Sequence, residues 1–133
     1  MRHVIRRGEG ESLMLGEEHK RTIEILVEAT TTGTKAFTMG AQTLQPGQEV
    51  PPHRHAEEEI LFVYAGSGRI TVAGVAHEVR PETAVFVPGN TDHRIENTGA
   101  GELRMTFTMS PPGYEAFFRN LARTRTDHGP GPS

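Results

Sequence analysis

Short apolar runs with a period of two residues recur along the chain, and Gly, Pro or Asn ends each of them. In TIEILVEAT, residues 22–30, the side chains of Ile23, Ile25 and Val27 share one side. Alternate residues of a strand face opposite sides of a sheet, so this period predicts strands. Similar runs cover residues 35–44, 59–66, 69–74, 75–79, 84–89, 93–99 and 102–109. Short strands at such regular spacing predict an all-β sandwich or closed barrel.

The pattern changes near the C-terminus. The segment SPPGYEAFFRNLART places Tyr114, Phe117, Phe118 and Leu121 at helical spacing. We interpret this helix as a patch over the open side of the barrel, with a lid or a dimer contact as the alternative. The predicted segments are an N-terminal arm or short strand at 1–20, the barrel at 21–110, a helix at 111–123 and a disordered tail at 124–133.

Composition narrows the class of protein. A chain of 133 residues has the size of one domain, and the absence of cysteine excludes disulfides and thiolate metal sites. A net charge of −3 without a basic run argues against a nucleic-acid partner. No apolar run is long enough to cross a membrane, and the N-terminus lacks the apolar region of a secretory signal. These features predict a soluble cytoplasmic protein.

The stretch PPHRHAEEEI, residues 51–60, concentrates polar side chains suited to metal binding. On a strand, His53 and His55 would face one way, and Glu59 would begin the next strand. Burying two imidazoles and a carboxylate together is costly unless a cation satisfies them, and His93 offers a third imidazole. The alternative is a solvated loop, because the chain contains seven histidines.

The spacing around these histidines favours the metal site. Every fixed position of the first cupin motif is present: Gly47, His53, His55, Glu59 and Gly66. The second motif is matched at Pro88, His93 and Asn97. From about residue 36 to residue 110, the chain therefore resembles a single-domain cupin. One departure is Asn90, where cupins usually have Gly; Asn tolerates the left-handed backbone that this turn needs.

The resemblance implies a double-stranded β-helix, or jelly-roll, barrel with a short C-terminal helix. It also implies a divalent transition metal held by His53, His55, Glu59 and His93. Iron(II) is favoured, and manganese, nickel, cobalt and zinc are alternatives. Cupins of this kind usually form homodimers, and the first thirty residues are the expected interface.

The resemblance to small bacterial dioxygenase-type and quercetinase-like cupins predicts a dioxygenase-like oxidoreductase acting on a small organic molecule. A lyase, isomerase or cyclase is the alternative, as is a non-catalytic cupin that binds a small ligand. Non-oxidative chemistry would need a proton-transfer group, for which Tyr64 is the candidate. Dimethylsulfoniopropionate lyases of this family have a Tyr two residues after the Glu ligand, and Leu61 at that position argues against their activity.

Overall fold

The computed structural model describes residues 1–16, 18 and 20–127, with side chains up to Arg123. Within these residues the chain forms ten strands and two helices. The strands are β1 (Glu11–Leu15), β2 (Arg21–Val27), β3 (Thr38–Leu44), β4 (Glu49–His53), β5 (Glu58–Ala65), β6 (Gly68–Val72), β7 (Val75–Val79), β8 (Thr83–Val87), β9 (His93–Asn97) and β10 (Leu103–Ser110). The helices are α1 (Ala29–Thr32) and α2 (Glu115–Asp127).

Two antiparallel sheets face each other, as the jelly-roll prediction requires. The larger sheet has the order β1-β2-β3-β10-β5-β8, and the smaller has the order β4-β9-β6-β7. Strands that are distant in sequence are neighbours in each sheet, so the chain crosses between sheets repeatedly. The predicted all-β cupin barrel with a short C-terminal helix is confirmed.

Strand β5 illustrates how alternation builds the core. Its burial alternates along the whole strand, and Leu61 and Val63 are fully buried between the sheets. Ile60 and Phe62 point to the outer face and stay exposed. Glu59 shares the parity of Leu61, so this strand directs a carboxylate into the barrel.

Two polar residues of the second motif shape turns. Asn90 has a φ of 55°, which confirms the expected left-handed backbone at this position. Asn97 ends β9, and its amide group donates hydrogen bonds to the carbonyls of Leu44 and Gly101 while its oxygen accepts one from the Gly99 N–H. Asn97 therefore fastens the end of β9 to the adjoining loops.

Helix α2 covers one opening of the barrel. It begins at Glu115 rather than residue 111, because the φ of +138° at Gly113 lies outside the helical region. It continues to Asp127, four residues past the predicted end, and residues 128–133 of the predicted tail lie outside the described residues. Phe118 is buried with its ring centroid 5.4 Å from that of Phe107, so the helix does patch the barrel.

Ion pairs attach α2 to the N-terminal half of the chain. The guanidinium of Arg119 donates to the carboxylates of Glu11 on β1 and Glu28 beside α1. Glu28 is buried, so its charge is satisfied only through such partners. No helix among the described residues is long and apolar enough to span a membrane.

Candidate metal site

Three histidines and one glutamate meet between the two sheets. His53 ends β4 and His93 opens β9, and the two residues are register partners across that ladder. Glu59 projects from β5 in the opposite sheet, and His55 lies in the connection between β4 and β5. The centroid of the His93 imidazole lies 4.1 Å from that of His53 and 4.8 Å from that of His55. Ligand atoms of the three histidines lie within 4.8 Å of one another.

Backbone carbonyls determine the orientation of all three imidazoles. The Nδ1 atom of His53 lies 2.8 Å from the Pro51 oxygen, that of His55 3.0 Å from the Glu57 oxygen, and that of His93 2.8 Å from the Thr91 oxygen. A carbonyl only accepts hydrogen bonds, so each Nδ1 is the protonated nitrogen. In a neutral imidazole the Nε2 lone pair is then free to bind a cation, which is the usual arrangement of metal-binding histidines.

Glu59 is the charged centre of the cluster. One of its oxygens lies 3.2 Å from the Nε2 of His55 and 3.4 Å from the Nε2 of His93. Burial alone would raise the pKa of Glu59, but the neighbouring His55 and His93 lower it overall. The carboxylate is therefore ionised in a place where only 5% of the residue is exposed.

The imidazoles respond to the same environment. Burial lowers the pKa of His53, which favours its neutral form. Burial acts in the same direction on His55, but the Glu59 carboxylate outweighs it and raises the pKa of His55. The Nε2 of His93 is buried and has no hydrogen-bond partner among the described residues, although a Glu59 oxygen lies 3.4 Å away.

These features fit a divalent cation. A buried nitrogen without a partner is uncommon in proteins, and a metal ion would satisfy it. A divalent ion bound by three neutral imidazoles and one carboxylate gives the cluster a net charge of +1. The buried negative charge of Glu59 is then balanced by the ion, and no histidine needs to be protonated to balance it. The structure groups the three histidines and places Glu59 within 3.4 Å of His55 and His93. That these four residues are the ligands stays a prediction.

An apolar pocket of about 150 Å³ opens beside the cluster. Its polar wall includes His53 and Glu59, and most of its other walls are apolar. The apolar walls come from both sheets and from α2 with the residue before it: Val50, Pro51, Ile95, Phe107, Met109, Tyr114, Phe117, Phe118 and Leu121. A small organic molecule in this pocket would lie next to His53 and Glu59, two of the four candidate ligands.

Tyr114 lines this pocket from the residue preceding α2. Its ring centroid lies 4.6 Å from that of His55, and Phe117 and Phe118 pack against its other sides. Its hydroxyl has no hydrogen bond to any described residue. Burial and the negative charge of Glu59 raise the pKa of Tyr114 to about 12, so the hydroxyl stays protonated at neutral pH.

Arg21 is a further polar group in the pocket, and its Nε donates to the Gln42 side-chain oxygen at 2.7 Å. Burial lowers the pKa of Arg21 to about 10, so the group stays charged at neutral pH. Sequence reasoning missed this residue. The alternation along β2 could have identified it, because Arg21 faces the same side of the strand as Ile23 and Ile25, which is the interior of the barrel.

The structure does not bring Tyr64 to the cluster. Tyr64 lies on the outer face of β5, 38% exposed, beside the outward-facing Ile60 and Phe62. The hydroxyl that accompanies the histidines belongs to Tyr114 instead. That residue was noted in the sequence only for its helical spacing with the phenylalanines.

Comparisons with known proteins agree with this geometry. The family model for the Cupin domain matches residues 40–109. The dimethylsulfoniopropionate lyase DddW of Ruegeria pomeroyi is 33% identical over 101 residues, which are 76% of this chain and 64% of that protein. The polyketide synthase CurC of Streptomyces cyaneus is 29% identical over 90 residues, which are 67% of this chain and 58% of that protein.

Among solved structures, the polyketide cyclase RemF from Streptomyces resistomycificus superposes with a TM-score of 0.72. The match covers 84% of this chain and 81% of that one at 21% identity, so it bears on the fold alone. The chain spans less than two thirds of the length of both curated relatives.

Proposed function

Because this chain belongs to the cupin family, we propose that it is a metal-dependent enzyme that catalyses proton transfer on a small organic molecule, as a lyase, isomerase or cyclase. The single observation behind this choice is the position of Tyr114, whose ring packs on His55 in the wall of the pocket. A proton donor beside a metal site is what non-oxidative chemistry next to a carbonyl requires.

The residues of the chain have distinct roles in this proposal. His53, His55 and His93 would hold the metal through their Nε2 atoms, with Glu59 as the fourth ligand, and iron(II) is the favoured ion. When bound, the ion would supply Lewis acidity toward a carbonyl or carboxyl oxygen of the substrate. The backbone carbonyls of Pro51, Glu57 and Thr91 keep the imidazoles oriented.

The aromatic walls and Tyr114 complete the site. Phe107, Phe117 and Phe118 line the pocket and, with a substrate bound, would limit the access of water, which would strengthen the electrostatic interactions inside it. The Tyr114 hydroxyl is available to donate a proton to the oxygen or carbon on which negative charge develops. Leu61 occupies the place of the tyrosine in the family's dimethylsulfoniopropionate lyases. In this chain a hydroxyl is supplied from another element instead.

Replacing Tyr114 with phenylalanine is expected to lower kcat by about 100-fold or more, the usual contribution of a positioned general acid. The ring would keep its packing against His55 and Phe118, so metal content and thermal stability should be unchanged. The measurement is turnover on a panel of diketones, flavonols, catechols, enolisable ketones and dimethylsulfoniopropionate. Tyr64→Phe is the matched control, because its hydroxyl lies on the outer face. Full activity in Tyr114→Phe would rule out the assigned role.

The same assays decide between the proposed chemistry and the dioxygenase-like activity predicted from the sequence. Proton-transfer chemistry runs equally fast under argon and in air, whereas a dioxygenase consumes dissolved oxygen in proportion to product. Oxygen consumption by the iron(II)-loaded protein would overturn the lyase, isomerase or cyclase proposal. Tight binding of a panel member without any turnover would favour the ligand-binding alternative.

We also propose that the chain forms a homodimer, as cupins of this kind usually do. Besides the predicted N-terminal region, the outer face of β5 and β8 exposes neighbouring apolar side chains: Ile60 is 49% exposed and its register partner Phe86 is 55% exposed. Such a patch favours burial against another surface.

Light scattering at micromolar concentration should give twice the 14.6 kDa chain mass. Phe86→Asp should weaken this dimer if the β5–β8 face mediates it, and a monomeric wild-type mass would refute the dimer.

A further inference from the structure

Arg21 places a positive charge at the wall of the apolar pocket. It begins β2 on the inward-facing side, and the same pocket is lined by Gln42, His53 and Glu59. The Gln42 oxygen accepts one of its N–H groups at 2.7 Å. Among the residues that the structure describes, no carboxylate lies within salt-bridge distance of this guanidinium. The arginines that do form ion pairs lie at the surface of the barrel, as Arg54 does with Asp92.

Most of the hydrogen-bond donors of the Arg21 guanidinium have no partner among the described side chains. Arg has five N–H donors, and the only side-chain hydrogen bond it makes to a described residue uses its Nε. The walls around it include Phe107, Met109 and Phe118, which offer no acceptor, and the Glu59 charge acts on it only from beyond salt-bridge distance. A partly buried charge without a carboxylate in contact is unfavourable, and the planar fork of Arg matches the two oxygens of a carboxylate.

We propose that Arg21, positioned by Gln42, binds the carboxylate of the substrate, so that the enzyme acts on small monocarboxylic acids with an apolar body. This inference rests on the proposed function, whose substrate class it specifies. One guanidinium balances one negative charge, so in the metal-free protein a phosphate dianion would leave a second charge among apolar walls and beside the Glu59 carboxylate. A cavity of about 150 Å³ accommodates an apolar group about as large as one benzene ring.

Benzoate and benzamide are suitable probes, because they share a ring and differ in the charge that Arg21 would recognise. Dissociation constants for both are measured by NMR titration of the isotope-labelled protein, with and without bound metal. We expect wild-type protein to prefer benzoate by about tenfold or more. Arg21→Met should remove this preference and leave benzamide affinity unchanged. Arg69→Met removes one positive charge from an exposed ion pair with Glu78 and should keep the preference.

Several outcomes would overturn the proposal. In the metal-free protein they are a wild-type chain that does not discriminate, an Arg21→Met variant that keeps its preference for benzoate, and phenyl phosphate binding more tightly than benzoate. If Arg21→Met does not fold, Arg21→Lys replaces it. Lysine retains the charge but loses the bidentate fork, so the preference should fall at least about threefold, and an unchanged preference would refute the role of the fork.

The two proposals fail in different ways. Arg21-dependent binding of benzoate without turnover of any carboxylic acid would refute the enzyme and leave the carboxylate site standing. Turnover of neutral ketones that is insensitive to Arg21→Met would support the enzyme and refute the carboxylate site.

Discussion

Replacing His55 with alanine is expected to abolish stoichiometric binding of a divalent metal while the barrel remains folded. His55 is 8% exposed and lies in the connection between β4 and β5, so its removal breaks no strand ladder. It supplies one of three imidazoles, and its ring is held by the Glu57 carbonyl. The loss of groups that merely orient ligands lowers metal affinity about 10–100-fold, so the loss of a ligand should exceed about 100-fold.

Metal analysis of protein purified without chelators measures this effect, and circular dichroism checks the fold. His77→Ala is the matched control, since His77 is exposed on β7 and outside the cluster. Full metal occupancy in the His55→Ala variant would show that the ligand assignment is wrong. Equal loss in the His77→Ala variant would show that the metal binds adventitiously to surface histidines.

Replacing Gly66 with alanine is expected to destabilise the protein by about 3 kcal/mol or more. Gly66 follows β5 with a φ of +82°, a conformation that L-residues disfavour. An added Cβ would also lie 2.2 Å from the Glu102 backbone oxygen and 3.0 Å from the Leu103 Cα. Both neighbours are backbone atoms, so no side-chain rotation relieves the contact. Urea unfolding followed by circular dichroism measures the loss.

Gly74 offers a matched control for the second effect. It also has a φ of +82°, in the turn between β6 and β7, but an added Cβ would meet nothing within 4 Å. Gly74→Ala should therefore cost only the backbone strain, about 1–2 kcal/mol. Equal losses in the two variants would contradict the importance of the close approach to Glu102. The Gly that ends the first motif is thus required for packing as well as for conformation.

Much of the fold was predictable because its signals are local. Alternation identified the strands, and on β5 it assigned Glu59, Leu61 and Val63 to one face, as the structure confirms. The first residue of α2 was harder to predict from the sequence. The prolines before the helix are compatible with a helix start, whereas the backbone conformation at Gly113 is not. Tyr64 was the candidate proton-transfer group because it lies close to the first motif in sequence. On β5 it alternates with the buried Leu61 and Val63, so its side chain faces away from the barrel interior.

The sequence by itself determined the strand pattern and placed His53, His55 and Glu59 near one another, since strand parity relates residues within a few positions. His93 was assigned to the same group only through the resemblance to the second cupin motif, and the structure pairs it with His53 across the β4–β9 ladder. Only the tertiary structure decided what surrounds them. Arg21 meets Gln42 across the β2–β3 ladder, and Tyr114 reaches His55 because α2 packs over the barrel opening. Such contacts join segments far apart in the chain, where no local period records which side chains will meet. The pocket's charge and its hydroxyl, and with them the proposed chemistry, come from this long-range packing.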